Sequence, residues 1–381
     1  MLSRRFCIKP TAPLTRPRPS CALGRRKPPT RSIQSPAGGD GGGDIGGGTG
    51  GGGSGGGGGN DDNSSWHLPG GLRYSGAWAL CTECLALWQH HKAAARDAER
   101  RAQLFDGAAS LSQSSGDAAG REATVSIIVP ALNEEAGLEA TLRYLQKQLQ
   151  PAAAEIIVVD GGSSDRTVSV ARRCGVRVVQ AGRGRARQMN AGAAAAKGQI
   201  LVFAHADTQP PQALVAEVRR QLSQPNVVLG GFRPLIEFEG KPLRAFSANN
   251  TLKTYYGPLL LRPLSFLRGL RCLFGDQTLF CRAADFRNVG GYDGRLPIME
   301  DADLCIRLQM TGPVECSKRR RGRVVQVNSV PNRTSGRRLA QWGGLRATAI
   351  HVIIGLSWYC GATPEQLRGI YHRLYTDLYR G

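Results

Sequence analysis

From Ala123 onward, short continuous apolar runs alternate with amphipathic stretches. Val125-Ser126-Ile127-Ile128-Val129 is one run, closed by Pro130, and Ile156-Ile157-Val158-Val159 is another. Val176 to Val179 and Ile200 to Ala204 supply two more, and Val227-Val228-Leu229 a fifth. Between them the spacing predicts helices: Asn133 as cap of a helix through about Gln148, with Glu134 and Glu135 at its positive end, then Asp165 to Cys174, then the Ala-rich 186–197. Four- or five-residue apolar runs alternating with helices predict an α/β fold, its mainly parallel central sheet covered by helices on both faces.

Beyond Phe232 the alternation fails. Residues 234–272 are basic and apolar and read as helical and irregular, Thr278 to Cys281 as a strand, and Asp301 to Met310 as a helix. Val324 to Val327 reads as an edge strand, followed by two C-terminal helices at about 336–358 and 364–379.

Composition divides the 381 residues. Residues 1–37 hold nine Lys or Arg and no acid, with many Ser, Thr and Pro, as in an organelle transit peptide. Pro interrupts any amphipathic helix there, which favours a plastid (chloroplast) address over a mitochondrial one. Residues 38–59 are a Gly-rich linker, and 60–120 are poorly defined, with three Trp hinting at a helical piece around 76–105. Residues 121–335 form the main domain and 336–381 a C-terminal helical extension. The net charge of +21 leaves +16 on residues 121–381, an affinity for anions such as nucleotide phosphates or acidic headgroups. Basic runs such as Lys318 to Arg323 lack interleaved aromatics, which argues against nucleic acid. Ten scattered cysteines imply a reducing compartment. Cys81 and Cys84, with His90 and His91 after them, lack the second pair that a zinc site needs. No run of 18 apolar residues appears.

Three acidic positions stand at strand ends or helix starts. His205-Ala206-Asp207 follows a buried strand, where open α/β sheets bind ligands, and an oxygen ligand there suits a hard divalent cation. Asp160-Gly161-Gly162-Ser163-Ser164-Asp165 lies between a strand and a helix. Asp165 is expected to cap that helix, leaving Asp160 free to accept hydrogen bonds from a base or ribose. Arg183-Gly184-Arg185-Ala186-Arg187 opens a helix, where guanidinium forks and free N–H groups suit a diphosphate. Glu300-Asp301-Ala302-Asp303 opens another; acids there are commonly dipole partners, but the pair could also provide a general base.

In order, Pro130-Ala131-Leu132-Asn133-Glu134, Val159 to Asp165, Arg187 to Gly192, His205-Ala206-Asp207, Gly275-Asp276-Gln277 and Met299-Glu300-Asp301 resemble glycosyltransferase family 2, over about residues 123–335. The resemblance implies a GT-A fold and an inverting transfer from a nucleoside-diphosphate sugar to a hydroxyl acceptor, lipid or small molecule. It implies that Pro130, Asn133, Glu134 and Asp160 line the nucleotide pocket, with Arg187 near the diphosphate. Asp207 would hold Mg²⁺ or Mn²⁺, Asp301 would be the base with Glu300 beside it, and Gly275, Asp276 and Gln277 would sit on the donor-sugar and acceptor side.

Two departures stand out. His205 replaces the first Asp of the usual Asp-x-Asp; imidazole cannot supply that charge but can hydrogen-bond a ribose or phosphate. Gly161 replaces the second Asp of the common Asp-Asp-Gly-Ser turn, which leaves the nucleobase open. The Gln-x-x-Arg-Trp motif of processive synthases is missing, which favours adding single sugars. A sugar-phosphate nucleotidyltransferase would need a Gly-rich loop that residues 130–137 lack; a non-catalytic nucleotide-sugar binder is the other alternative. Peripheral contact of residues 241–272 and the C-terminal helices with an anionic bilayer is a further expectation.

Overall fold

The computed structural model describes residues 66–67, 73–74, 123–149, 154–314, 321–336 and 344–374. The chain divides into two units, Met1–Asp61 and Asp62–Gly381, and every described residue belongs to the second. The transit-peptide and linker segments, the 76–105 helical piece and the Cys81–Cys84 pair lie outside the described residues.

After a short ribbon of Trp66–His67 against Arg73–Tyr74, the elements run β1 (Val125–Ala131), α1 (Leu138–Gln148), β2 (Ala154–Asp160), α2 (Thr167–Arg173) and β3 (Arg177–Gln180). Next come α3 (Arg185–Ala195), β4 (Ile200–Phe203), β5 (Thr208–Gln209), α4 (Leu214–Leu222), β6 (Val227–Phe238) and β7 (Lys241–Pro242). The chain continues through α5 (Arg244–Leu261), α6 (Pro263–Leu267), a 3₁₀ turn at Gly275–Gln277, β8 (Leu279–Arg282) and α7 (Ala283–Asn288). It ends with α8 (Glu300–Thr311), β9 (Arg323–Ser335), α9 (Gly344–Tyr359) and α10 (Pro364–Leu374).

One sheet runs β3-β2-β1-β4-β8-β6-β9-β5, with β7 paired to β6. β3, β2, β1 and β4 are mutually parallel, β8 is antiparallel to both its neighbours, and β6 is parallel to β9. Successive side chains of β1 serve two cores. Ile127 and Val129 join Leu138, Leu142 and Leu145 of α1, whereas Ile128 joins Met189 and Ala193 of α3. Burial on both faces explains why these strands are continuous apolar runs.

Three expectations need correction. Pro130 does not close β1 but lies inside it, in register with Val159. Asn133 does not cap α1: the helix starts at Leu138, and Asn133, at φ 54°, bonds the 160–165 turn instead. Residues 234–238 are strand, because β6 continues from Val227 through Gly230 and Gly231 to Phe238. The Phe280 ring on β8 lies where a side chain at 230 would begin, its nearest atom 2.2 Å from an ideal Cβ, so glycine is what lets those strands close up. Val324 to Val327 is an edge as expected, paired only to β6 among the described residues, but it is part of a longer strand: β9 spans 13 residues and, after a register shift between Val327 and Pro331, meets β5 at Arg333 and Thr334. The C-terminal helices pack on the domain, with Ile350, Ile354 and Leu367 against Leu296, Ile298 and Met299.

Candidate active site

Sheet polarity gathers the groups. The parallel strands β1, β2 and β4 release their following loops at one edge. β8 runs the other way, with Leu279 opposite Phe203, so the Gly275–Gln277 turn entering β8 lies beside the His205–Asp207 exit from β4.

The centre is the acid pair at the start of α8. Glu300 and Asp301 are each 2% exposed, and Met299 before them holds a left-handed φ of 73°. Arg185, the first residue of α3, donates from Nε to Glu300 Oε1 at 2.7 Å, and its Nη2 stands 3.5 Å from Asp301 Oδ2. Gly275 N–H donates to that same Asp301 oxygen at 2.8 Å. Glu300 Oε2 and Asp301 Oδ1 are buried without a hydrogen-bond partner among the described residues. Burial lifts the Asp301 carboxyl to about 7; Arg185 opposes the rise and the Glu300 carboxylate adds to it. The same acids push the Arg185 guanidinium above its ordinary range against its desolvation.

His205 Nε2 lies 3.5 Å from Arg185 Nη1. A Cβ on Gly275 would stand 2.4 Å from His205 Nε2 and 3.3 Å from Asp301 Oδ2, so a missing side chain lets the imidazole and the Asp301 carboxylate share one space. Asp207 is exposed and accepts only a long 3.4 Å bond from Thr208 Oγ1 among the described residues. No group of three His, Cys, Asp or Glu able to hold a metal occurs among the described residues.

The loops after β1 and β2 are bound to each other. Asn133 Oδ1 accepts Ser164 N–H at 2.9 Å, Ser163 Oγ accepts Asn133 N–H at 3.0 Å, and Thr167 Oγ1 accepts Glu134 N–H at 2.8 Å. Asp165 accepts Thr167 N–H at 2.9 Å, at the start of α2. The expectation that Asp160 is free is corrected: it is 2% exposed, and its carboxylate accepts Gly162 N–H at 3.0 Å, Ser163 N–H at 3.2 Å and the Ser163 hydroxyl. It holds its own turn. Gln188 of α3 braces the same corner, its Nε2 donating to Ala131 O and Val159 O at 2.8 Å each.

Other residues divide similarly. Arg187 is exposed and donates to Gly294 O at 3.2 Å, away from the acid pair. Gln277 does not face the acid pair: fully buried, it donates to Thr254 Oγ1 and accepts from Gln326 Nε2, both at 3.0 Å. Asp276 accepts from Asn250 Nδ2, while its Oδ1 is buried and unbonded. Asn250 and Lys253 were not singled out by the sequence, and Arg185 only as part of the basic 183–187 run. Lys253 is half-buried, 4.3 Å from the Phe274 ring, and burial lowers its ammonium against the pull of Asp276 and Asp301. For Arg185 the signal was its place at a helix start; only the fold separates it from Arg187.

A mainly parallel sheet covered by helices, with the buried acid pair at its carboxyl edge, fits the GT-A fold of glycosyltransferases. The chain belongs to glycosyltransferase family 2: the model for "Glycosyl transferase family 2" matches residues 126–285, ending before the acid pair. An uncharacterized glycosyltransferase of Mycobacterium tuberculosis is 30% identical over 189 residues, 48% of this chain and 68% of the relative. The pre-mycofactocin glycosyltransferase of the same organism is 26% identical over 195 residues, 49% of this chain, and this match spans only 39% of that relative. Among solved structures, a mannosyltransferase from Pyrobaculum calidifontis in complex with GDP-Man and Mn²⁺ is similar at 19% identity and TM-score 0.48, over 78% of this chain and 82% of that one.

Proposed function

We propose that the chain transfers one sugar from a nucleoside-diphosphate sugar to a hydroxyl acceptor with inversion at the anomeric carbon. One observation carries this: Asp301 is buried at the sheet's carboxyl edge, held on Oδ2 by Gly275 N–H and Arg185, with Oδ1 unbonded. An acceptor hydroxyl would give its proton to that oxygen as its own oxygen bonds the anomeric carbon. The bond from that carbon to the diphosphate oxygen breaks, and its electron pair leaves with the diphosphate. A carboxyl raised towards 7 is a better proton acceptor than an ordinary aspartate and is still substantially ionised near neutral pH.

Arg185 stands between the acid pair and His205, so it restrains the charge of the first. Asn133 and Glu134, in the loop after β1, and Pro130, near the end of that strand, would border the nucleotide. Arg187, at an exposed helix start, is the candidate diphosphate contact.

Asp207 fits a divalent ion of Mg²⁺ or Mn²⁺ type, because its carboxylate is exposed and barely bonded. One protein carboxylate suits an ion that takes its other ligands from phosphates and water. When bound, such an ion neutralises charge on the departing diphosphate. The acid-free, basic residues 1–37 support a plastid address.

The test measures donor turnover and donor binding by the purified chain with Mn²⁺ across UDP- and GDP-sugars. Asp301→Asn should lose about a hundred- to ten-thousandfold in kcat while still binding the donor. A variant that turns over like the parent removes Asp301 from the chemistry. A parent that binds donor without turning it over points instead to a nucleotide-sugar sensor.

A further inference from the structure

The α5 helix is built inside out. Its buried positions are Ser247, Asn250, Thr254 and Pro258, and two of them bond the catalytic turn: Asn250 to Asp276, and Thr254 to Gln277. Its outward positions include Leu252, Leu259 and Leu260, exposed by 60%, 47% and 71%. A helix whose only partner is its own domain shows the opposite pattern. The reversal continues into α6, where Leu264 and Leu267 are exposed by 48% and 77%.

A second helix extends this face. Asn249 of α5 donates to Thr348 Oγ1 of α9 at 3.2 Å, and Tyr359 of α9 donates to Leu261 O of α5 at 2.6 Å. Contacts at both ends lay α5 and α9 side by side in the same direction. α9 adds exposed Val352, Ile353 and Leu356. Single exposed leucines need no explanation; a group of them on three adjoining helices does.

Charge identifies the occupant. From Lys241 to Arg271 the chain has six Lys or Arg and no Asp or Glu, and from Gly344 to Pro364 it has no acid either. Lys241, Arg244 and Arg268 are exposed at the two ends of the α5–α6 segment. Apolar side chains flanked by cations, with no anion among them, are complementary to acidic lipid headgroups over an acyl layer. No helix among the described residues is long and apolar enough to cross a membrane.

We propose that the outward face of α5, α6 and α9 docks on an anionic bilayer, presenting a lipid-borne hydroxyl acceptor to the Asp301 carboxylate. The acceptor half rests on the transferase reading. Both helices reach the reaction centre: Lys253 of α5 lies over Phe274, beside the catalytic turn, and Met299, two residues before Asp301, packs in the α9–α10 cluster. Docking would therefore bring the acid pair close to the headgroup layer.

The experiment sediments the full chain with vesicles of phosphatidylcholine alone or mixed with phosphatidylglycerol, and follows hydrolysis of UDP-glucose and GDP-mannose without acceptor in parallel. The parent should pellet with the mixed vesicles and be released by salt. Leu260→Asp combined with Leu267→Asp should weaken that partition by about tenfold or more, with donor hydrolysis unchanged. A parent that hydrolyses donor but stays in the supernatant with both vesicles overturns the docking and leaves the transferase reading intact. Vesicle binding without hydrolysis of any donor does the reverse. A dimer in solution that the same two substitutions dissociate, without vesicle binding, assigns the face to a second copy and overturns the proposal.

Discussion

The two sides of the site are held in opposite ways. On the β1–β2 side the polar side chains are committed to the protein: Asp160 to its own turn, Asn133 to Ser164, Gln188 to the carbonyls of Ala131 and Val159. On the β8–α8 side, buried carboxylate oxygens of Asp276, Glu300 and Asp301 have no partner among the described residues. Leaving a buried acceptor unbonded typically costs about 1–3 kcal/mol, so the second arrangement stands only where the surrounding fold imposes it. Backbone strain does not follow this division: Thr278 and Met299 flank the acids at positive φ, but Asn133 on the other side holds φ 54° as well. The first side is bonded within itself; the second leaves acceptor capacity over.

The hardest way to break this comparison is to fill the space at Gly275. The added methyl of Gly275→Ala would stand 2.4 Å from His205 Nε2 and 2.8 Å from its Cε1, so the imidazole or the turn must move. Moving the turn disturbs the Gly275 N–H to Asp301 bond. Displacements of about 1 Å cost on the order of a hundredfold in rate, and kcat should fall by that much. Near-parental turnover would mean that His205 and the turn are not part of the reactive geometry.

Arg185→Met sharpens the second side. Arg185 lowers Asp301, so its removal raises that carboxyl further, and a base that must be ionised then needs higher pH. The acid limb of kcat/KM, expected near 7 in the parent, should move up. At neutral pH the loss should be about tenfold or more and should shrink as pH rises. If Arg185 instead grips the diphosphate, KM for the donor rises at every pH and the limb stays where it was. Arg185→Lys should restore part of the limb position but not the planar fork to the acid pair.

How much of this was legible in the sequence also differs between the two sides. The parallel strands are local apolar runs, so β1 to β4 could be read from neighbours alone. β6 and β9 could not. β6 contains Gly230, Gly231 and Pro234, β9 contains Asn328, Pro331 and Asn332, and both take their strand form from pairing with each other across nearly a hundred residues. α5 was legible only as part of a helical, irregular 234–272 stretch, and its bounds were not, because its apolar side faces outward. At the site, the motif order pointed to Asp301 and Glu300, which the structure buries side by side, but could not tell Arg185 from Arg187. Asp160 was misjudged as free because Asp-Gly-Gly-Ser serves a ligand or a turn equally well as a string of letters.

That last point sets the smallest effect. Asp160→Asn keeps the shape but exchanges one acceptor oxygen for a donor that faces Gly162 N–H or the Ser163 donors. A turn holder should then lose about 1 kcal/mol of stability by denaturant unfolding, while KM for the donor changes little, since the carboxylate is 2% exposed. Should Asp160 instead serve the nucleotide, KM would rise tenfold or more with stability hardly touched. The two outcomes fall on different axes, so one variant decides whether the β2 side is frame or ligand.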